Sequence, residues 1–268
     1  MLIIGEKING TRKAVGKAVL EKDVAFIQNL AREQVAGGAD VLDVNAGTEA
    51  SREPDDLRWL VQIVQEVVDK PLSLDSPNPK ALAHAVTAVK QTPFINSISG
   101  EAHRLAALPI VAERQCQVLA LAIDDNGIPK DVAGRMAVVN RLFEETRKAG
   151  VLDENVYVDP LVTAIATDAK ACELAMECMR TIKSAYPKAH LTCGLSNISY
   201  CLPARAVLNR SFMTLAMLAG LDSAIMDPND RGLIEAIYAT QVLLGQDRHC
   251  MKFSKAFSAG KIGPAKKA

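Results

Sequence analysis

The sequence predicts an α/β protein folded as a single (β/α)8 (TIM) barrel, and three observations predict it. Eight short apolar runs alternate with longer amphipathic ones along 268 residues, a pattern that demands parallel strands covered by helices. The length suits eight such units, which take roughly 250 residues. Nearly every apolar run closes on Asp, Asn or Glu, and in a barrel all strand ends share one mouth.

The strand candidates are residues 2–5, 40–44, 71–74, 94–96, 117–123, 156–158, 190–193 and 223–226. Between them, Val24, Ile27, Ala31 and Val35, then Leu57, Leu60, Val61, Val64 and Val68, repeat at intervals of three and four. That spacing gathers apolar groups on one helical face. Pro54 with Asp55 and Asp56, Asn78 with Pro79, and Asn229 with Asp230 mark helix starts. Gly37–Gly38 and Gly150 mark helix ends, where glycine tolerates left-handed backbone. After the seventh run a helix is expected to open at Pro203, a residue suited to a first turn. An open doubly wound sheet is the competing architecture, yet the first strand–helix connection holds no GxGxxG and no Walker loop occurs. No linker or low-complexity segment divides the chain, so residues 1–268 read as one domain.

Bulk properties exclude several function classes. Hydrophobic residues make up 49%, enough for a substantial core, and 31 basic residues balance 31 acidic ones. A non-specific nucleic-acid binder would need a basic excess. No uncharged apolar run is long enough to span a membrane, and the start MLIIGEKI lacks the layout of a secretory signal. Cys116, Cys172, Cys178, Cys193, Cys201 and Cys250 form no CxxC pair and have no histidine at zinc spacing. They read as reduced thiols packed as small hydrophobes in a cytoplasmic protein. The tail AGKIGPAKKA reads as frayed or surface-lying.

The strand ends supply the candidate site: Glu6 with Asn9 beyond it, Asp43 and Asn45, Asp75, Asn96, Asp124, Asp159, Ser196 with Asn197, and Asp227. Any one of them can be a turn or cap residue, since Asp and Asn bond local backbone readily, and Asp124 and Asp227 lie beside obvious turn residues. As a set they suit a neutral heterocycle rich in donors and acceptors: carboxylates accept from ring N–H and amino groups, and amides do both. A phosphate ligand would instead want Arg, Lys or a glycine-rich cradle. A metal shared by Asp75 and Asp159 is not expected, because their strands lie across the barrel. Lys7 offers the only lysine near a strand end for Schiff-base chemistry, but GEKING reads more simply as a charged turn.

GEKING, LDVNAG, LSLDSPNP, NSISGE, VDPL and GLSNISYCLPARAVLNRSF followed by GLDSAIMDPND together resemble the pterin-binding barrel family. Within it the chain is similar to the methyltetrahydrofolate:corrinoid-protein methyltransferases and the methyltetrahydrofolate domain of cobalamin-dependent methionine synthase. The ordered set runs from residue 3 to about residue 247. The resemblance implies that Asp75, Asn96 and Asp159 hold the pterin ring and that Asn197 sits beside N5, the nitrogen that carries or receives the methyl group. Asp43, Asn45 and Ser196 would support them. Arg205 would reach the pterin or folate tail, or else make a surface helix salt bridge. Glu6 and Asn9 would line the pocket floor or close the first loop.

The same resemblance implies tetrahydrofolate or 5-methyltetrahydrofolate as substrate and a corrinoid (cobamide) carried on a separate protein, since no DxHxxG signature occurs in the chain. It further implies a homodimer, no metal bound by the protein itself, and either direction of transfer. Tyr200–Cys201 departs from the family's usual Phe-Gly, and a cysteine there would alter the corrinoid-facing loop. The competing readings are dihydropteroate synthase, disfavoured by the missing TPDSFSDGG-like loop and late basic cluster, a non-catalytic folate-binding barrel, and a sugar-phosphate or aldolase barrel.

Overall fold

A computed structural model describes residues 1–264. In chain order its elements are β1 (Leu2–Asn9), α1 (Lys13–Glu21), α2 (Val24–Gly37), β2 (Val41–Asn45), α3 (Glu53–Val64), β3 (Leu72–Asp75), α4 (Pro79–Ala85) and β4 (Phe94–Ser99). They continue as α5 (Leu108–Arg114), β5 (Gln117–Leu121), α6 (Val132–Lys148), β6 (Val156–Asp159), α7 (Ala171–Ala185), β7 (His190–Leu191), α8 (Arg205–Leu218), β8 (Ser223–Met226), α9 (Arg231–Leu243) and α10 (Met251–Ser258). The strands lie in the order β7-β6-β5-β4-β3-β2-β1-β8, every pair parallel. β7 and β8 complete the ring: Ile225 N–H donates to Cys193 O (2.9 Å) and Ser223 Oγ to Leu191 O (3.0 Å). This is the (β/α)8 barrel that the alternation predicts.

The two-residue period of a strand sorts side chains between barrel interior and helix layer. Ile4, Val41, Phe94, Leu119 and Tyr157 plug the interior. Leu42, Val44, Leu74, Ile95 and Val118 face outward into the larger core formed with the helices. Continuing the inward period from Val41, Phe94 and Tyr157 reaches Asp43, Asn45, Asn96 and Asp159, so the polar strand ends line the same bore above its apolar plug.

Helix starts follow their signals. Asn78 accepts from Lys80 N–H (3.0 Å) and Asp230 from Leu233 N–H (3.1 Å), while Pro54 occupies the first turn of α3. Gly38 (φ 110) and Gly150 (φ 81) take left-handed backbone at helix ends.

Several boundaries differ from expectation, each for a local reason. β1 extends to Asn9, so GEKING is strand and not a turn; its pairing with β2 shifts between Gly5 and Ile8, and the buried Gln34 accepts the Lys7 N–H (2.8 Å). Gly5 leaves room for that amide, since a Cβ there would stand 2.6 Å from Gln34 Oε1. α8 opens at Arg205, beyond Pro203, because Ala204 turns the chain through left-handed backbone (φ 51). Cys116, Cys178 and Cys193 are buried as expected, but Cys201 and Cys250 are exposed. Ile262, in the tail read as frayed, is only 3% exposed; the tail's last residues, 265–268, lie outside the described residues.

Candidate functional site

The mouth of the barrel joins the inward strand ends into hydrogen-bonded pairs. Asn96 Nδ2 donates to Asp43 Oδ1 (3.1 Å), and Asn45 Nδ2 donates to Asp75 Oδ2 (3.0 Å). Asn45 Oδ1 is buried with no partner among the described residues, an acceptor left for an N–H donor. Asp159 Oδ1 accepts from Leu161 N–H (2.7 Å), and the Gly194 N–H also bonds this carboxylate. Asp43, Asn96 and Asp159 are each more than nine-tenths buried.

Burial in this low-dielectric wall penalises charge. It pushes Asp43 up to about 8, with the neighbouring Asp75 adding and the Ser73 hydroxyl and Asn96 amide offsetting in part. Burial likewise raises Asp75 to about 6, against the Asn45 hydrogen bond and the Arg104 charge. Asp159 rises to about 6 for the same primary reason, offset by its two backbone bonds and by Arg135. Glu6 is raised by burial and restrained by Arg12.

Asn197 stands on the 3-10 turn Leu195–Ser199 that follows β7. It is exposed and its amide makes no hydrogen bond among the described residues. The amide lies over Gly194, where a Cβ would come within 3.0 Å of Nδ2. Gly194 thus holds Asp159 through its N–H and makes room for Asn197, so the ends of β6 and β7 meet at one residue.

Arg205 makes no ion pair among the described residues, so of its two readings the surface helix salt bridge is not formed. Its guanidinium folds back to donate to Ser196 O (2.7 Å) and Ser199 Oγ (3.0 Å), pinning the turn that carries Asn197. Ser196 enters this clamp through its carbonyl.

The remaining strand ends divide. Glu6 pairs with Arg12 (2.7 Å) and Asp227 with Lys7 (2.5 Å); with Ser196 and Arg205 they line a cavity of about 310 Å³ on the β1–β8 side of the mouth. Asp75, Asn96 and Asp159 are not among the residues that line it. Asn9 closes the first loop, accepting from Thr11 N–H (3.0 Å) and Thr11 Oγ1 (2.7 Å). Asp124 leaves the mouth altogether, accepting from Asn126 N–H (2.8 Å) in a turn closed against Gly127.

Two cations were not anticipated. Arg104, past the end of β4, lowers Asp75 electrostatically and donates to Ser76 O (3.3 Å). Arg135 on α6 is 2% exposed and donates to Pro160 O (2.7 Å) and Leu161 O (2.8 Å), bracing the chain just beyond Asp159. Neither is an acidic or amide residue closing a strand, the signal used to find the others. Arg135 alone carries a trace of its role, as an arginine on the buried face of an amphipathic helix.

Cys201 adopts φ 63, the left-handed region that glycine favours. The loop thus has a glycine-type backbone at this cysteine, and the neighbouring Tyr200 is exposed.

Among the described residues no helix is long and apolar enough to cross a membrane. Residues 5–227 match the family described as pterin binding enzymes. The chain is 42% identical to the methylcorrinoid:tetrahydrofolate methyltransferase of Eubacterium limosum over 98% of both chains. It is 30% identical to the methionine synthase of Mycobacterium leprae over 84% of this chain and 20% of that one. Among solved structures, a dihydropteroate synthase from Clostridium difficile determined in the presence of pteroic acid superimposes with TM-score 0.70, covering 91% of this chain and 96% of that one at 19% identity. At that identity the likeness is one of fold.

Proposed function

We infer the reaction from one premise: this chain belongs to the pterin binding enzyme family. The chain is a methyltransferase that moves a methyl group between N5 of tetrahydrofolate and the cobalt of a corrinoid. The identity of 42% to a methylcorrinoid:tetrahydrofolate methyltransferase over nearly the full length favours this over a dihydropteroate synthase. The corrinoid is carried by a separate protein that docks across the mouth, and the chain works as a single pterin-binding unit over residues 1–268, as a homodimer in the cytoplasm.

The observation that carries this reading is the wall of Asp43, Asn45, Asp75, Asn96 and Asp159. It offers buried carboxylate and amide oxygens to the N–H and amino groups of a pteridine, and Asn45 Oδ1 is an acceptor still without a donor. Asp75 and Asp159 accept from the ring, and Asn96 completes the polar edge. The corrinoid supplies a cobalt that gives up or takes the methyl group. Asn197 stands at N5 with a free amide able to follow that nitrogen's changing proton count without adding a fixed charge. Arrival of methyl at N5 leaves the nitrogen cationic until its proton departs, and departure of methyl requires N5 to be protonated first. Asn197 Oδ1 accepts a hydrogen bond from the protonated N5 in either direction while the proton itself exchanges with solvent, so catalysis is mainly positioning and stabilisation of that charged nitrogen. Asn197 and Tyr200 are exposed, which leaves the N5 edge open to a macromolecular partner.

The test is optical. The protein is mixed with a methylated or a reduced corrinoid protein, and cobalt absorbance is followed on adding tetrahydrofolate or 5-methyltetrahydrofolate. A folate-dependent change that needs the protein supports the reading. No change with either pair, together with condensation of aminobenzoate onto a pterin diphosphate, would overturn it in favour of dihydropteroate synthase.

A further inference from the structure

Arg135 on α6 is a cation buried without an anion in contact. It is 2% exposed, and among the described residues its guanidinium makes no ion pair. It donates to three main-chain carbonyls instead: Nε to Pro129 O (3.1 Å), and Nη1 to Pro160 O (2.7 Å) and Leu161 O (2.8 Å). Taking a charge out of water is costly unless something answers it. Bracing a loop does not by itself require that charge, since a neutral amide also donates to carbonyls.

One peptide group accounts for it. Pro160 O and Leu161 N belong to the same planar unit and point to opposite sides of it. The oxygen accepts from Arg135, and the N–H donates to Asp159 Oδ1 (2.7 Å). Cation, peptide and carboxylate therefore form a chain of two hydrogen bonds with one direction, and bonds in such a chain polarise and strengthen one another. Leu161 sits at φ 64, left-handed backbone that ordinary residues avoid. Both its ends are pinned there, the N–H by Asp159 and the carbonyl by Arg135.

We propose that Arg135 is a positioning residue for pterin binding: through the Pro160–Leu161 peptide, its charge keeps Asp159 an ionised and correctly aimed acceptor. The electrostatics of the site agree. Burial raises Asp159, while its two backbone bonds and the Arg135 charge act against that rise. The titratable neighbours of the pair leave the middle of the pH range to Asp159. Burial raises the Cys178 and Cys193 thiols, and Asp131 is exposed at the start of α6. This rests on the tetrahydrofolate reading above, in which Asp159 meets the ring.

The test is tetrahydrofolate affinity at pH 6 and pH 8 in three proteins. Beside wild type stand Arg135→Gln, which keeps a donor but no charge, and Arg135→Lys, which keeps the charge but not the fork. Without the cation Asp159 holds its proton to higher pH. For a rise of about one pH unit, Arg135→Gln should bind about fivefold more weakly than wild type at pH 6 and within about 1.5-fold of it at pH 8. Arg135→Lys should stay within about threefold of wild type at both. In an Asp159→Asn background, Arg135→Gln should change affinity less than about twofold. Asp43 and Asp75 titrate in every variant and drop out of the comparison. No loss at pH 6, a loss of equal size at both pH values, or one that persists beside Asp159→Asn would overturn the proposal. A loss beyond about threefold in Arg135→Lys would overturn it too, whether or not Arg135→Gln folds. Wild-type protein that binds no tetrahydrofolate at either pH would remove the tetrahydrofolate reading itself, and this inference with it.

Discussion

Replacing Asp159 by Asn should make the protein more stable and a poorer folate binder at the same time. The carboxyl is 7% exposed, and burial raises its pKa from the ordinary 3.8 to about 6. The folded chain thus binds this proton more tightly than the unfolded chain, so the group's contribution is most favourable below pH 4. It is lost as pH rises toward 6 and stays lost above. At about 1.4 kcal/mol per pH unit, holding the charge in the folded wall costs about 3 kcal/mol at pH 7.5. Asp159→Asn keeps the shape and removes the charge. Urea unfolding should therefore find the variant about 2–3 kcal/mol more stable than wild type at pH 7.5, with the gap closing by pH 4. Asp43, Asp75 and Glu6 titrate in both proteins and largely cancel in the difference. Folate binding should move the other way, because hydrogen bonds to a charged acceptor contribute about 1.5–3 kcal/mol, or roughly 10- to 150-fold in Kd. Unchanged folate affinity, or a variant less stable than wild type at pH 7.5, would refute the assignment of Asp159 as a buried, ligand-facing carboxylate.

Asn197→Ala should slow methyl transfer by about 100-fold, the scale of losing one transition-state hydrogen-bonding group, while folate Kd by titration calorimetry shifts less than about threefold; equal loss of both would count against a role at N5. Arg205→Ala frees the turn that carries Asn197 and should lower kcat about tenfold through misplacement alone. Single-turnover rates would show this, and a loss confined to KM would place Arg205 on the ligand instead. Cys201→Gly should stabilise the protein by about 0.5–1 kcal/mol, since a left-handed non-glycine residue costs about 1–2 kcal/mol and glycine gives part of that back as chain entropy. Denaturant midpoints check it, and a lower midpoint would contradict the strained backbone.

The barrel was legible because its signal is periodic. Alternating strand and helix patterns, together with Asn78, Asp230 and Gly38, act locally and are read wherever they occur. The placement of the candidate residues was legible for the same reason: Val41, Asp43 and Asn45 alternate on a strand, so identifying the strand identifies the side that faces the bore. What escaped depends on backbone events that leave no such trace. The register shift at Lys7 lengthened β1 beyond its apolar run, and the left-handed Ala204 moved the start of α8 past Pro203. Asp124 looked like its counterparts because a strand end and a turn use the same residue type. Arg104 and Arg135 reach the mouth from a 3-10 turn and a helix, and only tertiary packing brings them there.

The ring of strands is not equally firm all round. β7 has two residues, and its seam with β8 is fastened by a handful of bonds around Leu191, Cys193 and Ile225, directly under the turn that bears Asn197. Backbone amides along this seam should exchange with deuterium sooner than those of β2 to β5, so the barrel yields first where its chemistry happens. On the reading proposed above, Asp43, Asn45, Asp75 and Asn96 would meet the pteridine from the firmer strands, while the Asn197 amide would ride on the side that can breathe.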